Sequence, residues 1–277
     1  MLTPKSRGRS TLFNPWWGCT KVSSGCDHCY AESLDKHWYP RKEETDVLIA
    51  TITTTEALHW GKGQPRRIMS DDYWQQPLKW NKAAQREGVK HKVFCASMAD
   101  VMDDEAPDGQ RERLWELINN TPHLIWQLLT KRPTRYTSYL PPLGFVYRNV
   151  WLGTSAENQH FYDIRWSVLR VICKDFQCPS FISYEPALGP LSIVAFVHNL
   201  PREGDGFDQC PDWLICGAES GANRRPMEQK WAEDAASDCE ITGTKFWMKQ
   251  MSARTPEQGA QLIPPHLLIR QFPGGTE

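Results

Sequence analysis

Short apolar runs that end abruptly in polar residues recur along this chain and constrain its fold more than any other feature. Each run is rich in β-branched, aromatic or aliphatic residues, which is typical of buried parallel strands. The six clearest runs span residues 92–100, 123–133, 149–158, 180–190, 212–221 and 245–250. Segments with helical periodicity lie between several of them, so the sequence predicts alternating β and α units.

Three segments predict helices between these runs: residues 108–122, 158–172 and 227–243. The first begins with Asp108 as a candidate cap, and the third stops at Gly243. In the second, four apolar residues recur at the spacing that marks one face of an amphipathic helix: Phe161, Ile164, Val168 and Val171.

Repeated βα units predict an α/β fold with mainly parallel strands. A TIM-like full or partial (β/α) barrel fits the repetition better than an open doubly wound sheet. Neither GxGxxG nor GxxxxGKS opens any unit, which argues against a dinucleotide-binding fold or a P-loop. We expect one barrel domain over residues 1–277, with residues 35–91 as an insertion or first crossover near the barrel mouth.

Ligand sites of parallel α/β folds lie at the carboxyl ends of the strands. The polar ends of the runs therefore supply the candidate cofactor-binding residues, which are Lys131, Ser155, Asn158, Glu185 and Glu219. Helix capping and structural salt bridges are the competing roles for the same side chains. Further candidates at the strand ends are Asp100, Arg132, Glu157 and Lys249.

Three cysteines near the N-terminus, Cys19, Cys26 and Cys29, form the pattern CxxxxxxCxxC. Thiolates are soft ligands that suit zinc and iron–sulfur clusters. A structural zinc site needs a fourth protein ligand, for which His28 or a distant cysteine is available. The alternative is a [4Fe–4S] cluster held by three thiolates, with one iron left open for a small ligand.

Seven motifs occur in order along the chain: NPWWGCTKVSSGCDHCYAE, VFCASMADVMDDEAP, WQLLTKRP, NVWLGTSAEN, SYEPALGPL, DWLICGAESG and FWMKQ. Together they resemble the phage Gp-thirty-seven/Gp-sixty-eight family, whose members are uncharacterised. In its cysteine motif and barrel the family is similar to radical S-adenosylmethionine (SAM) enzymes. The usual motif of those enzymes is CxxxCxxC, so the first gap is longer here. The resemblance implies a cofactor class and leaves the substrate open.

The resemblance implies an iron–sulfur enzyme in which Cys19, Cys26 and Cys29 bind a [4Fe–4S] cluster. With SAM as second cofactor, it would generate a 5′-deoxyadenosyl radical, with a nucleobase or nucleotide as candidate target. An electron donor such as a flavodoxin or ferredoxin is the implied partner. The alternative is a metal-stabilised binding protein, with zinc or a closed cluster, for nucleic acid or a protein partner. A metal-independent barrel hydrolase is a third hypothesis, and it leaves the cysteines unexplained.

Net charge and hydropathy limit the partners and the cellular location that the sequence allows. The formal net charge is −1, which argues against a strongly basic surface for duplex DNA. No apolar run approaches the length of a membrane span, and the first residues lack the apolar region of a secretory signal. We therefore expect a cytoplasmic protein without a membrane partner, whose nine cysteines are thiols or metal ligands.

Overall fold

The main sheet has seven parallel strands, and its elements follow the predicted βα alternation. The computed structural model describes residues 11–38, 59–141, 148–198 and 210–275. The strands are β1 (Thr11–Leu12), β2 (Trp16–Trp17), β3 (Arg67–Ile68), β4 (His91–Cys95), β5 (Leu124–Thr130), β6 (Val150–Ser155), β7 (Ser180–Tyr184), β8 (Trp213–Gly217) and β9 (Lys245–Gln250). The last six strands coincide with the six apolar runs, which confirms that prediction.

Strand order gives the sheet its shape as a partial barrel. The order is β1-β4-β5-β6-β7-β8-β9, while β2 and β3 form a separate antiparallel pair. Strands β1 and β9 are the two edges of the sheet, so the described residues do not close the barrel. The edge of β9 is covered by the C-terminal segment, because the Met248 amide donates to Ile269 O and the Gln271 amide donates to Phe246 O, both at 2.9 Å.

Residues 13–90 connect the neighbouring strands β1 and β4 and contain most of the predicted insertion or first crossover. Of that prediction, residues 39–58 lie outside the described part of the chain. The described remainder holds β3 and two helices. It lies against the N-terminal segment, since the Gly61 amide donates to Cys19 O at 3.0 Å and the Met69 amide donates to Pro15 O at 3.2 Å.

The helices include one in each of the three segments predicted from the sequence, with two corrections. They are α1 (Tyr30–Trp38), α2 (Asp71–Trp74), α3 (Gln76–Glu87), α4 (Gln110–Asn119), α5 (Tyr136–Tyr139), α6 (Gln159–Phe176), α7 (Ile193–His198), α8 (Gln229–Thr242) and α9 (Pro256–Gln261). Helix α8 ends at Gly243, which takes the left-handed conformation at the C-cap. The cap expected at Asp108 is wrong, because Gly109 occupies the N-cap of α4 without a side-chain bond.

The second correction concerns which face of α6 packs against the sheet. Ile164 and Val171 of the predicted apolar face are 49% and 47% exposed. The buried residues of α6 are Tyr162, Arg165, Trp166, Leu169, Ile172 and Cys173. Two large aromatic rings bury more surface than β-branched residues do, and this outweighs the regular apolar spacing.

The two faces of the sheet differ in what covers them. One face packs against the helices in the main hydrophobic core. The other face carries a separate aromatic cluster near the amino ends of the strands, formed by Ile125, Trp151, Phe181, Trp213 and Ile215. None of the helices in the described residues is long and apolar enough to cross a membrane.

Candidate metal centre and ligand cavity

A cavity of about 260 Å³ lies at the carboxyl ends of the strands, where the fold predicts a ligand site. One wall is the cysteine loop, residues 19–29, and the other walls are strand ends. Of the three cysteines and the five cofactor-binding candidates, seven line this cavity: Cys19, Cys26, Cys29, Lys131, Ser155, Glu185 and Glu219. The fold therefore brings the cysteines and the polar strand ends together.

Asn158 does not line the cavity. It is the N-cap residue of α6, and its side-chain oxygen accepts a hydrogen bond from the Phe161 amide at 3.2 Å. The structure therefore shows Asn158 in the competing role, helix capping. Ser155, the last residue of β6, keeps its place in the cavity wall.

The three thiols of the cysteine loop share the cavity without forming a compact ligand set. In the described residues, no three His, Cys, Asp or Glu side chains converge closely enough to hold a metal ion. Burial raises the pKa of the Cys19 and Cys29 thiols, and Asp100 raises that of Cys19 further, against the effect of Arg132. Metal binding would require these thiols to lose their protons and move closer together. The donor chemistry itself, three thiols facing one cavity, fits zinc or an iron–sulfur cluster.

Arg132, directly after β5, holds the first part of the cysteine loop. Its guanidinium donates to Thr20 O at 2.6 Å and lies 3.7 Å from Cys19 Sγ. The same group is paired with Asp100 at 2.8 Å, and both side chains are largely buried. Of the two roles considered for this cation, the structure shows the salt bridge.

Glu157 holds the middle of the loop and is completely buried. It accepts hydrogen bonds from Ser23 Oγ at 2.8 Å, Lys131 Nζ at 2.6 Å and Arg165 at 2.8 Å. Burial alone would raise the pKa of this carboxyl, but Lys131 and Arg165 outweigh it and hold the pKa below its ordinary value. Gly25 lies so close that a Cβ there would be 2.3 Å from Glu157 Oε1. Lys131 thus lines the cavity with its ammonium held by Glu157.

Glu219, after β8, holds the last part of the loop through Arg225 and His28. Arg225 donates to it from the guanidinium at 2.6 Å and from the backbone amide at 2.7 Å, and also donates to Ser24 O at 2.9 Å. His28 Nδ1 lies 3.1 Å from Glu219 Oε2. Burial opposes ionisation of Glu219, and the bonds from Arg225 and His28 keep its pKa lowered. Glu219 therefore positions the loop.

Glu185, after β7, forms an ion pair across the top of β8. Its Oε1 lies 2.7 Å from Lys249 Nζ at the end of β9. Gly217 at the end of β8 makes this possible, since a Cβ there would be 2.6 Å from Glu185 Oε1. The structure thus shows Glu185 in a salt bridge, the competing role considered for it, with Lys249 as its partner. Lys249 is 53% exposed at its side chain.

A comparison with protein families matches residues 9–265 to the family described as "Protein of unknown function (DUF5131)". The chain belongs to this family. No curated protein and no solved structure matches it. The family has no assigned activity, so the resemblance to the phage family and to radical SAM enzymes stays a prediction for this DUF5131 chain.

Sequence reasoning missed one organising residue of the cavity surroundings, Arg66. Its buried guanidinium pairs with Asp103 at 2.8 Å and Glu105 at 2.7 Å, and donates to Thr20 Oγ1 at 2.7 Å. It also donates to Gly61 O at 3.1 Å, so it joins the segment before β3 to the cysteine loop. Arg66 lies in an irregular segment without periodicity, where no sequence pattern marks a buried cation.

Proposed function

We propose that the protein is an iron–sulfur enzyme of the radical SAM type. One observation carries this proposal: three thiols of a single loop face the same cavity as the polar carboxyl ends of a parallel partial barrel. Cys19, Cys26 and Cys29 would hold a [4Fe–4S] cluster. When bound, such a cluster supplies an electron for cleavage of the SAM sulfonium and has one iron without a protein ligand.

The residues of the chain itself would bind and orient the second cofactor. Ser155 would present its hydroxyl group to SAM from the cavity wall, whereas Glu185 and Lys249 in the same wall are left for the target. Lys131 and Glu219 are engaged by other side chains, and in this proposal they position the loop. The finer barrel type, a nucleobase or nucleotide target and a flavodoxin or ferredoxin donor belong to the same proposal. A cytoplasmic location, where cysteines stay reduced, also belongs to this proposal.

Anaerobic reconstitution with iron and sulfide, followed by EPR of the dithionite-reduced protein with and without SAM, tests the proposal. We expect a [4Fe–4S]⁺ signal that changes when SAM is added. Cys26→Ala should lose most of the bound iron. Cys178→Ala is the matched control, since Cys178 is a partly buried thiol outside the cavity wall. A signal indifferent to SAM, or equal iron loss in both variants, would argue against the proposal.

The alternative, a zinc-stabilised binding protein, is favoured by one observation. His28 Nδ1 is engaged by the Glu219 carboxylate, an arrangement typical of zinc-bound histidines that bind through Nε2. His28 and the three cysteines would complete a four-ligand site. Metal analysis of His28→Ala separates the two candidates. The zinc hypothesis predicts that this variant loses its zinc. The iron–sulfur proposal predicts that this variant keeps the iron content of the reconstituted wild type.

A further inference from the structure

Most charged groups around the cavity form hydrogen bonds to the cysteine loop. The ion pair between Glu185 and Lys249 does not contact that loop through a hydrogen bond. Arg132, Glu157 and Arg225 each bond to an atom of residues 19–29. Across the described chain, neither Glu185 nor Lys249 has a hydrogen bond or ion pair to that loop. Their pair lies in the cavity wall, with more than half of the Lys249 side chain exposed.

The pair also retains hydrogen-bonding capacity after its own contact is made. A carboxylate has more lone pairs than Lys249 and Ser183 use, and an ammonium has three N–H groups. Ser183 Oγ donates to Glu185 Oε2 at 3.1 Å, whereas Lys249 contacts the other oxygen, Oε1. The cavity therefore presents an acceptor and a donor next to each other, 2.7 Å apart.

A lactam, the –C(=O)–NH– edge of a ring, is the complementary group. Its oxygen and nitrogen lie about 2.3 Å apart by amide bond lengths, which is close to the separation of the two protein atoms. The lactam N–H would donate to Glu185, and its C=O would accept from Lys249. Aromatic side chains line the same cavity at Tyr30, Trp60 and Phe94, and they provide surfaces against which a flat ring can pack.

We propose that Glu185 and Lys249 form a subsite for a planar ring with a lactam edge, of which uracil and guanine are nucleobase examples. Cytosine and adenine present an amine where these rings have the carbonyl, and would place a donor against Lys249. The inference rests on the proposed function in one respect, because it names the target class of the same cavity. It requires no cluster for binding.

Titration of the full-length protein with uridine, guanosine, cytidine and adenosine, followed by tryptophan fluorescence and saturation-transfer NMR, tests the subsite. The protein is used both as purified and after reconstitution, with iron content measured in parallel. We expect uridine and guanosine to bind about tenfold more tightly than cytidine and adenosine, because a wrong edge leaves polar groups unpaired. Iron content reports on the proposed function separately from this preference.

Two variants and a control identify the residues responsible. Lys249→Met should weaken uridine and guanosine binding by about tenfold, and Glu185→Gln should reduce the preference over cytidine. Lys245→Met is the control, since Lys245 is an exposed lysine at the other end of the same strand. Lys249→Met is the deciding variant, because the Lys249 side chain is half-exposed and its replacement should leave the fold intact. Circular dichroism verifies the folding of this variant. Equal binding of all four nucleosides, no binding, or unchanged binding by Lys249→Met would overturn the inference.

Discussion

The sheet face that does not pack against the helices, which is the inner face of the partial barrel, carries side chains of different size at its two ends. At the amino ends of the strands, Trp151, Phe181 and Trp213 pack in one cluster. At the carboxyl ends of β6 and β8, the corresponding face carries Ser155 and Gly217. Side chains two or four residues apart along a strand share a face, so each strand passes from large to small on the same side.

This difference separates stability from ligand binding along the same strands. Large aromatic rings at one end exclude water and supply packing, while small residues at the other end leave space for charged side chains and a ligand. Glu185 can cross β8 only because Gly217 has no side chain. The cavity is thus a consequence of strand composition as well as of the loops above it.

Truncation of the aromatic end should have the largest effect on stability. Trp213→Ala is expected to lower the free energy of unfolding by about 4 kcal/mol, the cost typical of a Trp-sized cavity. In the described residues the Trp213 indole N–H has no hydrogen-bond partner, so the loss is one of packing. Urea unfolding measures it. Ser183→Ala, at the cavity end of the neighbouring strand, should cost about 1 kcal/mol. Similar losses in both variants would contradict the comparison.

Replacement of the buried carboxylate at the cavity end should come next. Glu157→Gln leaves two cations beside a neutral amide and is expected to cost about 3 kcal/mol, because the partners of a buried charge remain uncompensated. Glu87→Gln is the control, since its pair with His91 is largely solvent-exposed and should contribute about 0.3 kcal/mol. Chemical denaturation of both variants checks the difference. Equal costs would mean that the Glu157 contacts are energetically neutral.

A methyl group added at Gly25 of the cysteine loop should lower stability less than Glu157→Gln does. It should also change the reactivity of the neighbouring thiol. In Gly25→Ala the new Cβ would collide with Glu157, which we expect to displace the loop at a cost of about 2 kcal/mol. Cys26 should then react several-fold faster with iodoacetamide in the metal-free protein. Ser24 is an exposed neighbour of Gly25. In the control variant Ser24→Ala, Cys26 should react with iodoacetamide at the wild-type rate. An unchanged Cys26 rate in Gly25→Ala would show that the loop is seated by other contacts.

The sequence predicted the fold well because apolar periodicity reports on burial, which is a local property of each strand. It also predicted that Lys131 and Glu185 would reach one cavity, since parallel strands end at one edge. It could not predict the pairing of Glu185 with Lys249. That contact depends on Gly217 of the strand between them, a relation among three strands distant in the chain.

Two further failures have the same physical origin. Asn158 looked like a ligand residue because it follows a strand, but it lies three residues beyond β6 and begins the next helix. Arg66 bonds to Thr20 of the cysteine loop and to Asp103 after β4, and it belongs to no periodic element. Charge networks that join loops are set by tertiary geometry, and periodicity carries no information about them.

The smallest expected effect is a pH dependence to which the cavity end contributes and the aromatic cluster does not. The pKa values of Glu157 and Glu219 are lowered in the folded protein, so the folded state binds fewer protons than the unfolded chain. Their contribution to stability is complete above the ordinary glutamate pKa of 4.5 and is lost as the pH falls through the lowered values.

Urea unfolding between neutral pH and acid should therefore show decreasing stability below that value, and Glu157→Gln should show a weaker decrease. Trp213→Ala should lose stability by a constant amount across the same range, because no proton is exchanged at the aromatic cluster. A pH-dependent loss in Trp213→Ala would mean that the two ends of the barrel are coupled.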